Sequence, residues 1–145
     1  YWGQSPTNTP PPPLIFVQPT MIYLLLPDLA ITDIYLDKPT GDTYIKYMNN
    51  SAFWLTGYAT WSCAAVQVKT PGGGSTNPNR KQSGSFSVNL DKGRESALHT
   101  SLYIGDLYLV FGLHALVTVE CSIEGKSFID FDLSNNTLKK DLGFE

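Results

Sequence analysis

The chain has 145 residues and a mass of 16.0 kDa, a length that favours one domain with its own core. Charged residues make up only 16% and aromatic residues 12%, with 10 Pro and 12 Gly, which predicts a turn-rich, β-leaning globular protein. A formal net charge of −3, a pI near 5.3 and the lack of a basic run argue against nucleic acid or an anionic membrane as a partner.

Two segments precede the body of the chain. Residues 1–13 (YWGQSPTNTPPPP) are polar and proline-rich, which predicts a stiff, polyproline-like tail. Residues 14–26 (LIFVQPTMIYLLL), called the leader here, do not alternate apolar with polar side chains and are too short for a membrane span, which needs about 20 apolar residues. Fully extended, the leader would reach roughly 43 Å. We expect both of its faces to be covered, because ten of its side chains are large and apolar: Leu14, Ile15, Phe16, Val17, Met21, Ile22, Tyr23, Leu24, Leu25 and Leu26.

Residues 27–145 read as a series of short strands separated by turns. Alternation and β-branched or aromatic content predict strands at 29–34, 43–48, 53–68, 85–90, 95–102, 107–111, 115–123, 127–133 and 137–142, with a flexible loop at 71–79. The turn at 124–125 predicts a tight hairpin, and no helix is predicted. The spacing is typical of an all-β protein, an antiparallel β-sandwich with Greek-key connections, here with an N-terminal extended apolar strand.

Cysteines and sequons point to an extracellular chain. Cys121 lies on the apolar face of its predicted strand and Cys63 lies in another apolar run, which predicts one disulfide, with two buried free thiols as the alternative. Asn-x-Ser/Thr sequons make Asn49 and Asn135 candidate N-glycosylation sites. The first residue is Tyr1, which we interpret as the start of a mature chain whose signal peptide has been removed, with an artificially trimmed chain as the alternative.

Four segments together resemble a known module. They are 27–34 (PDLAITDI), 44–52 (YIKYMNNSA), 89–96 (NLDKGRES) and 128–137 (FIDFDLSNNT), and they resemble the cell-adhesion-related domain of bacteria and archaea, CARDB. The sequence departs from the family pattern at Ser51, where glycine is usual, and at Asp130 and Asp132, where glutamates are usual. The resemblance implies an immunoglobulin- and fibronectin-like sandwich over 27–142 that serves as a spacer or adhesive unit without chemistry of its own.

Candidate catalytic and metal sites are weak in this sequence. Asp130 and Asp132 share one face of a predicted strand with Asp141 beyond them, which suits calcium, although a solvated face is the favoured interpretation. Carboxylates two apart on one strand do not flank a glycosidic bond, and no histidine pair has metal-ligand spacing. We therefore predict a protein that is not an enzyme and has no cofactor.

The leader allows two interpretations of function. Folded back onto its own body it would be an extra strand, whereas inserted into a neighbouring copy it would be a donor strand that builds a fibre. We favour the second, a structural subunit of an extracellular, cell-surface filament or pilus-like homopolymer assembled head to tail. The alternative is a monomeric adhesion or carbohydrate-binding module that stacks surface glycans on exposed aromatics, with candidates Trp54, Tyr58, Trp61, Tyr103 and Tyr108.

Overall fold

The computed structural model of the chain describes residues 26–145, so the tail and all of the leader except Leu26 lie outside the described residues. The elements in chain order are β1 (Leu29–Asp37), β2 (Asp42–Asn49), β3 (Leu55–Lys69), β4 (Ser75–Thr76), β5 (Arg80–Leu90), β6 (Glu95–Tyr103), α1 (Gly105–Phe111), β7 (Leu116–Gly125), a short 3-10 helix (Leu133–Asn135) and β8 (Thr137–Gly143). The prediction of an all-β antiparallel sandwich is confirmed.

The strands form two antiparallel sheets. The first sheet has the order β1-β2-β6, and in the second β3 is flanked by β7 on one side and by β5 and β4 on the other, with β8 next to β7. Contacts between β1 and β8 and between β5 and β6 join the two sheets along their sides. Whether this sandwich is immunoglobulin-like in the narrower sense stays a prediction.

Alternation of side chains along each strand builds the core between the sheets. In β7 the predicted inward face is buried, with Val117, Val119, Cys121 and Ile123 all pointing into the core. The first sheet contributes Leu29, Ile34, Ile45, Tyr47 and Leu102 to the same buried core.

A disulfide joins Cys63 and Cys121, as the sequence predicts. The two residues are directly opposite each other in the β3–β7 ladder, and both are buried. The bridge therefore links neighbouring strands within one sheet.

Two predicted strands are wrong. Residues 107–111 lie in α1, because the buried side chains Ile104, Leu107 and Tyr108 and the packed Phe111 repeat with helical spacing. Residues 127–133, predicted as the second arm of a hairpin, form a loop that ends at the start of the 3-10 helix. In that loop the backbone N–H of Phe131 donates to the carbonyl of Pro27, outside any ladder, at 2.7 Å.

Candidate functional sites at the two ends of the sandwich

A buried polar cluster lies at the end of the sandwich where β1 begins. Asp28, immediately before β1, is only 8% exposed. Its Oδ1 accepts a hydrogen bond from Asn135 Nδ2 at 3.0 Å, and its Oδ2 accepts one from Asn50 Nδ2 at 3.0 Å. Its backbone N–H donates to Ser51 Oγ at 2.7 Å. The cluster thus ties the start of β1 to the turn after β2 and to the 3-10 helix before β8.

A second carboxylate, Asp130, enters the same cluster from the 126–132 loop and is also 8% exposed. Its two oxygens accept from the backbone N–H of Leu29 at 3.3 Å, and Oδ2 also accepts from Asn136 Nδ2 at 2.9 Å. Burial raises the pKa of Asp130 to about 6, and the negative charge of Asp28 raises it further. The hydrogen bonds from Asn136 and Leu29 lower this pKa but do not outweigh burial.

Two amide oxygens in the cluster have no hydrogen-bond partner among residues 26–145. They are Oδ1 of Asn135 and Oδ1 of Asn136, both shielded from solvent. Among residues 26–145, no lysine, arginine or histidine side chain forms an ion pair with Asp28 or Asp130. The cluster therefore has an excess of oxygen acceptors over donors, which is costly in a buried site.

The two sequon asparagines have structural roles at this end. Asn49 is fully buried, and its Nδ2 donates to the carbonyls of Phe53 at 2.7 Å and Leu90 at 2.9 Å. Because a glycan would be attached to that nitrogen, the folded chain does not present Asn49 for modification. Asn135 is half-buried, and its Nδ2 is bonded to Asp28.

Exposed apolar side chains surround the cluster where the leader joins the body. Ile129 is 86% exposed and Leu133 is 67% exposed. Both belong to the 126–135 segment, whose Phe131 N–H is bonded to Pro27, the residue that follows the leader. We call the surface of Ile129 and Leu133 the leader pole.

A second apolar surface lies at the opposite end of the sandwich, on α1. Leu109 is 78% exposed, Val110 is 72% exposed, and Leu113 just beyond the helix is also exposed. The N–H groups of Ile104 and Gly105 donate to the carbonyl of Gly41 in the β1–β2 turn, which fixes α1 at that end. We call this surface the helix pole. The nine residues of β1 separate the two poles by about 30 Å.

The structure does not assemble the predicted aromatic platform. Trp61 and Tyr108 are core residues. Trp54, just before β3, and Tyr58 in β3 are exposed, but a separation of four residues along extended chain places them about 13 Å apart. Tyr103 lies in the other sheet, at the end of β6. These five side chains therefore do not form one sugar-stacking surface.

The three aspartates considered for calcium are also separate. Asp132 Oδ1 accepts from the backbone N–H of Ser134, and Asp141 on β8 forms an ion pair with Lys69 at 2.8 Å. No three or more His, Cys, Asp or Glu side chains come together as metal ligands within residues 26–145. The sequence reading missed Asp28 and Asn136, although the Asn-Asn pairs at 49–50 and 135–136 that serve the cluster were visible as turns.

No protein-family model and no curated protein was found to match this chain. The resemblance to CARDB thus stays a prediction. In the part of the chain that the structure describes, no helix is long and apolar enough to cross a membrane.

Proposed function

We propose that this protein is a non-enzymatic structural subunit of an extracellular filament, in which successive copies join head to tail and the leader of one copy binds the next. The observation that carries the proposal is the placement of the leader pole and the helix pole at opposite ends of the sandwich. Two different surfaces that contact each other make a heterologous interface, which propagates into a fibre unless it closes into a ring. Exposed apolar surface of this kind typically marks an interaction site.

The edge of β5 is the acceptor that we assign to the leader. β5 pairs with β3 in continuous register from Arg80 to Leu90, and within residues 26–145 no strand pairs with its other side. From Gln82 to Leu90 it carries no charge and no proline, the devices that normally protect an edge strand. The β5 edge begins beside the helix pole, because Arg80, the first residue of β5, is bonded to Asp106 of α1. A leader from the neighbouring copy that reaches the helix pole can therefore continue along this edge.

The rest of the structure is compatible with an extracellular subunit. The disulfide is of a kind that persists in oxidising compartments. The body also has its own β8 beside β7, so the leader adds to a neighbour's complete sandwich and does not replace a missing strand. The carbohydrate-binding alternative has less support, because the predicted aromatics are dispersed.

Sedimentation velocity and negative-stain electron microscopy of the full chain test the proposal. We expect concentration-dependent fibres from the full chain and monomers from three variants: a deletion of residues 1–25, the double variant Leu109→Asp/Val110→Asp, and Ser85→Lys on the β5 edge. Ala97→Asp is the matched control, because Ala97 is exposed on the outer face of β6, away from both poles. Circular dichroism checks that each variant is folded.

Two outcomes would overturn the proposal. The first is a full chain that stays a 16.0 kDa monomer at high concentration. The second is a deletion variant that still forms fibres, since the leader would then have no role in assembly. Assembly should persist in Ala97→Asp, because its loss there as well would show that the effect of Leu109→Asp/Val110→Asp is not specific to the helix pole.

A further inference from the structure

Trp54 presents a large apolar ring to solvent at the end of β5. Its indole N–H donates to Oδ1 of Asn89, the second-last residue of β5, at 2.6 Å, yet Trp54 is 56% exposed. This end of β5 lies on the leader-pole side of the sandwich, because the carbonyl of Leu90 accepts from Asn49. A tryptophan whose N–H is satisfied while its ring faces solvent is typical of an interaction site.

The direction of the leader determines which segment of a neighbouring copy meets Trp54, and this step rests on the proposed function. In the filament, the leader of that copy enters at the helix pole beside Arg80 and extends along the β5 edge toward Leu90. Its residue numbers fall in that direction, so it is antiparallel to β5, as are the other paired strands of residues 26–145. The leader then forms the outermost strand of the sheet, where a proline such as Pro19 is tolerated.

The length of the leader brings its first residue to the far end of β5. Residues 14–26 extend to roughly 43 Å, whereas the 11 residues of β5 extend to roughly 36 Å. The difference of roughly 7 Å, about two residues, is available for crossing from one copy to the next. Leu14 therefore ends near Leu90, and the prolines that precede Leu14 come next to Trp54.

We propose that the proline run 10–13 of one copy binds the exposed indole of Trp54 on the next copy. Consecutive prolines have a fixed φ and favour the extended polyproline II helix, so they lose little conformational entropy on binding. Proline-rich segments of this kind typically bind to exposed aromatic rings. The chain thus supplies both the ring and its occupant, and the leader has the length that joins them.

This contact would set the register of the leader on β5. The leader is apolar on both faces, so a slip by one residue would exchange apolar side chains for apolar side chains and would cost little. Attachment at both ends removes that freedom. Pro27 is held by the N–H of Phe131 on its own body, and the proline run is held by Trp54 of the next body.

Tryptophan fluorescence of the full chain tests the contact directly. In a Trp2→Phe background the remaining tryptophans are Trp54 and the buried Trp61, so quenching by acrylamide reports mainly on Trp54. We expect the emission to shift to shorter wavelength, and most of the quenching to be lost, when monomers assemble into fibres. Replacing Pro10, Pro11, Pro12 and Pro13 by serine should leave Trp54 open to acrylamide in the fibres.

Sedimentation measures the strength of the same contact. Trp54→Ala should raise the critical concentration for assembly about tenfold, and the four serine replacements should have a similar effect. Combining both changes should add little, because either one removes the whole contact. Tyr58→Ala is the matched control, since Tyr58 is an equally exposed aromatic of the same strand region and lies about 13 Å from Trp54.

The outcomes separate this inference from the proposed function. Fibres of the serine variant with the critical concentration and the Trp54 quenching of the parent would overturn the proline contact while leaving the filament intact. A parent chain that never assembles would overturn both. An equal effect of Tyr58→Ala, or full additivity of Trp54→Ala with the serine replacements, would also overturn the contact. The serine variant changes only the tail, so this test does not depend on how Trp54→Ala folds.

Discussion

Gly84 on β5 allows the most direct test of how the core is packed. It is directly opposite Trp61 in the β3–β5 ladder, so the two positions face the same side of the sheet. A Cβ atom at residue 84 would lie 2.8 Å from Nε1, 3.0 Å from Cε2 and 3.1 Å from Cζ2 of the Trp61 indole. Favourable contacts between heavy atoms are about 3.5–4.0 Å, so the ring would have to move by half an ångström or more.

The expected cost of Gly84→Ala follows from these distances. The indole is a rigid ring buried in the core, and inserting one carbon into a well-packed core typically costs about 1–3 kcal/mol. Replacing glycine within a strand recovers roughly 0.5–1 kcal/mol of chain entropy. We therefore expect Gly84→Ala to lower the free energy of unfolding by about 1–2 kcal/mol, measured by urea denaturation with the disulfide intact.

A control and a double-mutant cycle separate this clash from a general effect of alanine. Gly72 has no heavy atom within 4 Å of its Cβ position, so Gly72→Ala should be neutral or slightly stabilising. Trp61→Phe removes part of the indole, so Gly84→Ala should cost less in that background, with a coupling energy on the order of 1 kcal/mol. Equal or greater stability of Gly84→Ala, or strict additivity with Trp61→Phe, would refute the reasoning.

Three further predictions concern the disulfide, a buried tyrosine and a sequon asparagine. Replacing Cys63 and Cys121 by alanine removes a disulfide between residues with a sequence separation of 58. The free energy of unfolding measured by urea denaturation should fall by about 4 kcal/mol, and a loss below about 1 kcal/mol would contradict this. Burial raises the pKa of Tyr108 to about 12, so the unfolded tyrosine ionises near pH 10 while the folded one stays protonated. This contribution to stability is complete below about pH 10 and is lost as the pH rises toward 12, by up to about 3 kcal/mol. Tyr108→Phe should not lose this stability between about pH 10 and 12. If the parent protein and Tyr108→Phe gave parallel curves of stability against pH, the contribution of Tyr108 would be excluded. Asn49→Ala removes the side-chain donor to two backbone carbonyls, so the free energy of unfolding should fall by about 2–3 kcal/mol in thermal or urea unfolding. An unchanged stability would show that water replaces the amide.

The fold could largely be predicted from alternation along the strands, and the exceptions have physical causes. In β7 every second residue is apolar and buried, so the period of two identified both the strand and the inward position of Cys121. In α1, tyrosine, valine and phenylalanine favour strands, and the helix has no side-chain cap at Ile104 to mark its start. The sequence signals for the helix are the spacing of Ile104, Leu107, Tyr108 and Phe111 and the acidic Asp106 in the first turn. A pattern of about two turns is too short to outweigh strand propensity.

The polar cluster and the two poles could not be predicted from the sequence, because they depend on tertiary contacts. Asp28 and Asn135 are 107 residues apart in the chain, yet their side chains are hydrogen-bonded. Asp130 was assigned to a solvated strand face, the usual position of a carboxylate, whereas it is buried against the N–H of Leu29. The composition of the leader predicts that it needs a covering surface, but the surface proposed for it, on β5 and at the helix pole, could be identified only from the structure.

The loop after β7 inverts the ordinary pattern of a strand. Asp130 is buried while its neighbour Ile129 is almost fully exposed, so the chain places a charge inside and an apolar side chain in solvent. In an isolated body both choices are unfavourable, since a solvated aspartate and a buried isoleucine would be more stable. Hydrogen bonds from the backbone N–H of Leu29 and from Asn136 Nδ2 offset the first cost. In the proposed filament, contact with a second copy offsets the second. Because the two compensations involve different groups, Leu109→Asp/Val110→Asp should weaken self-assembly without changing the polar cluster.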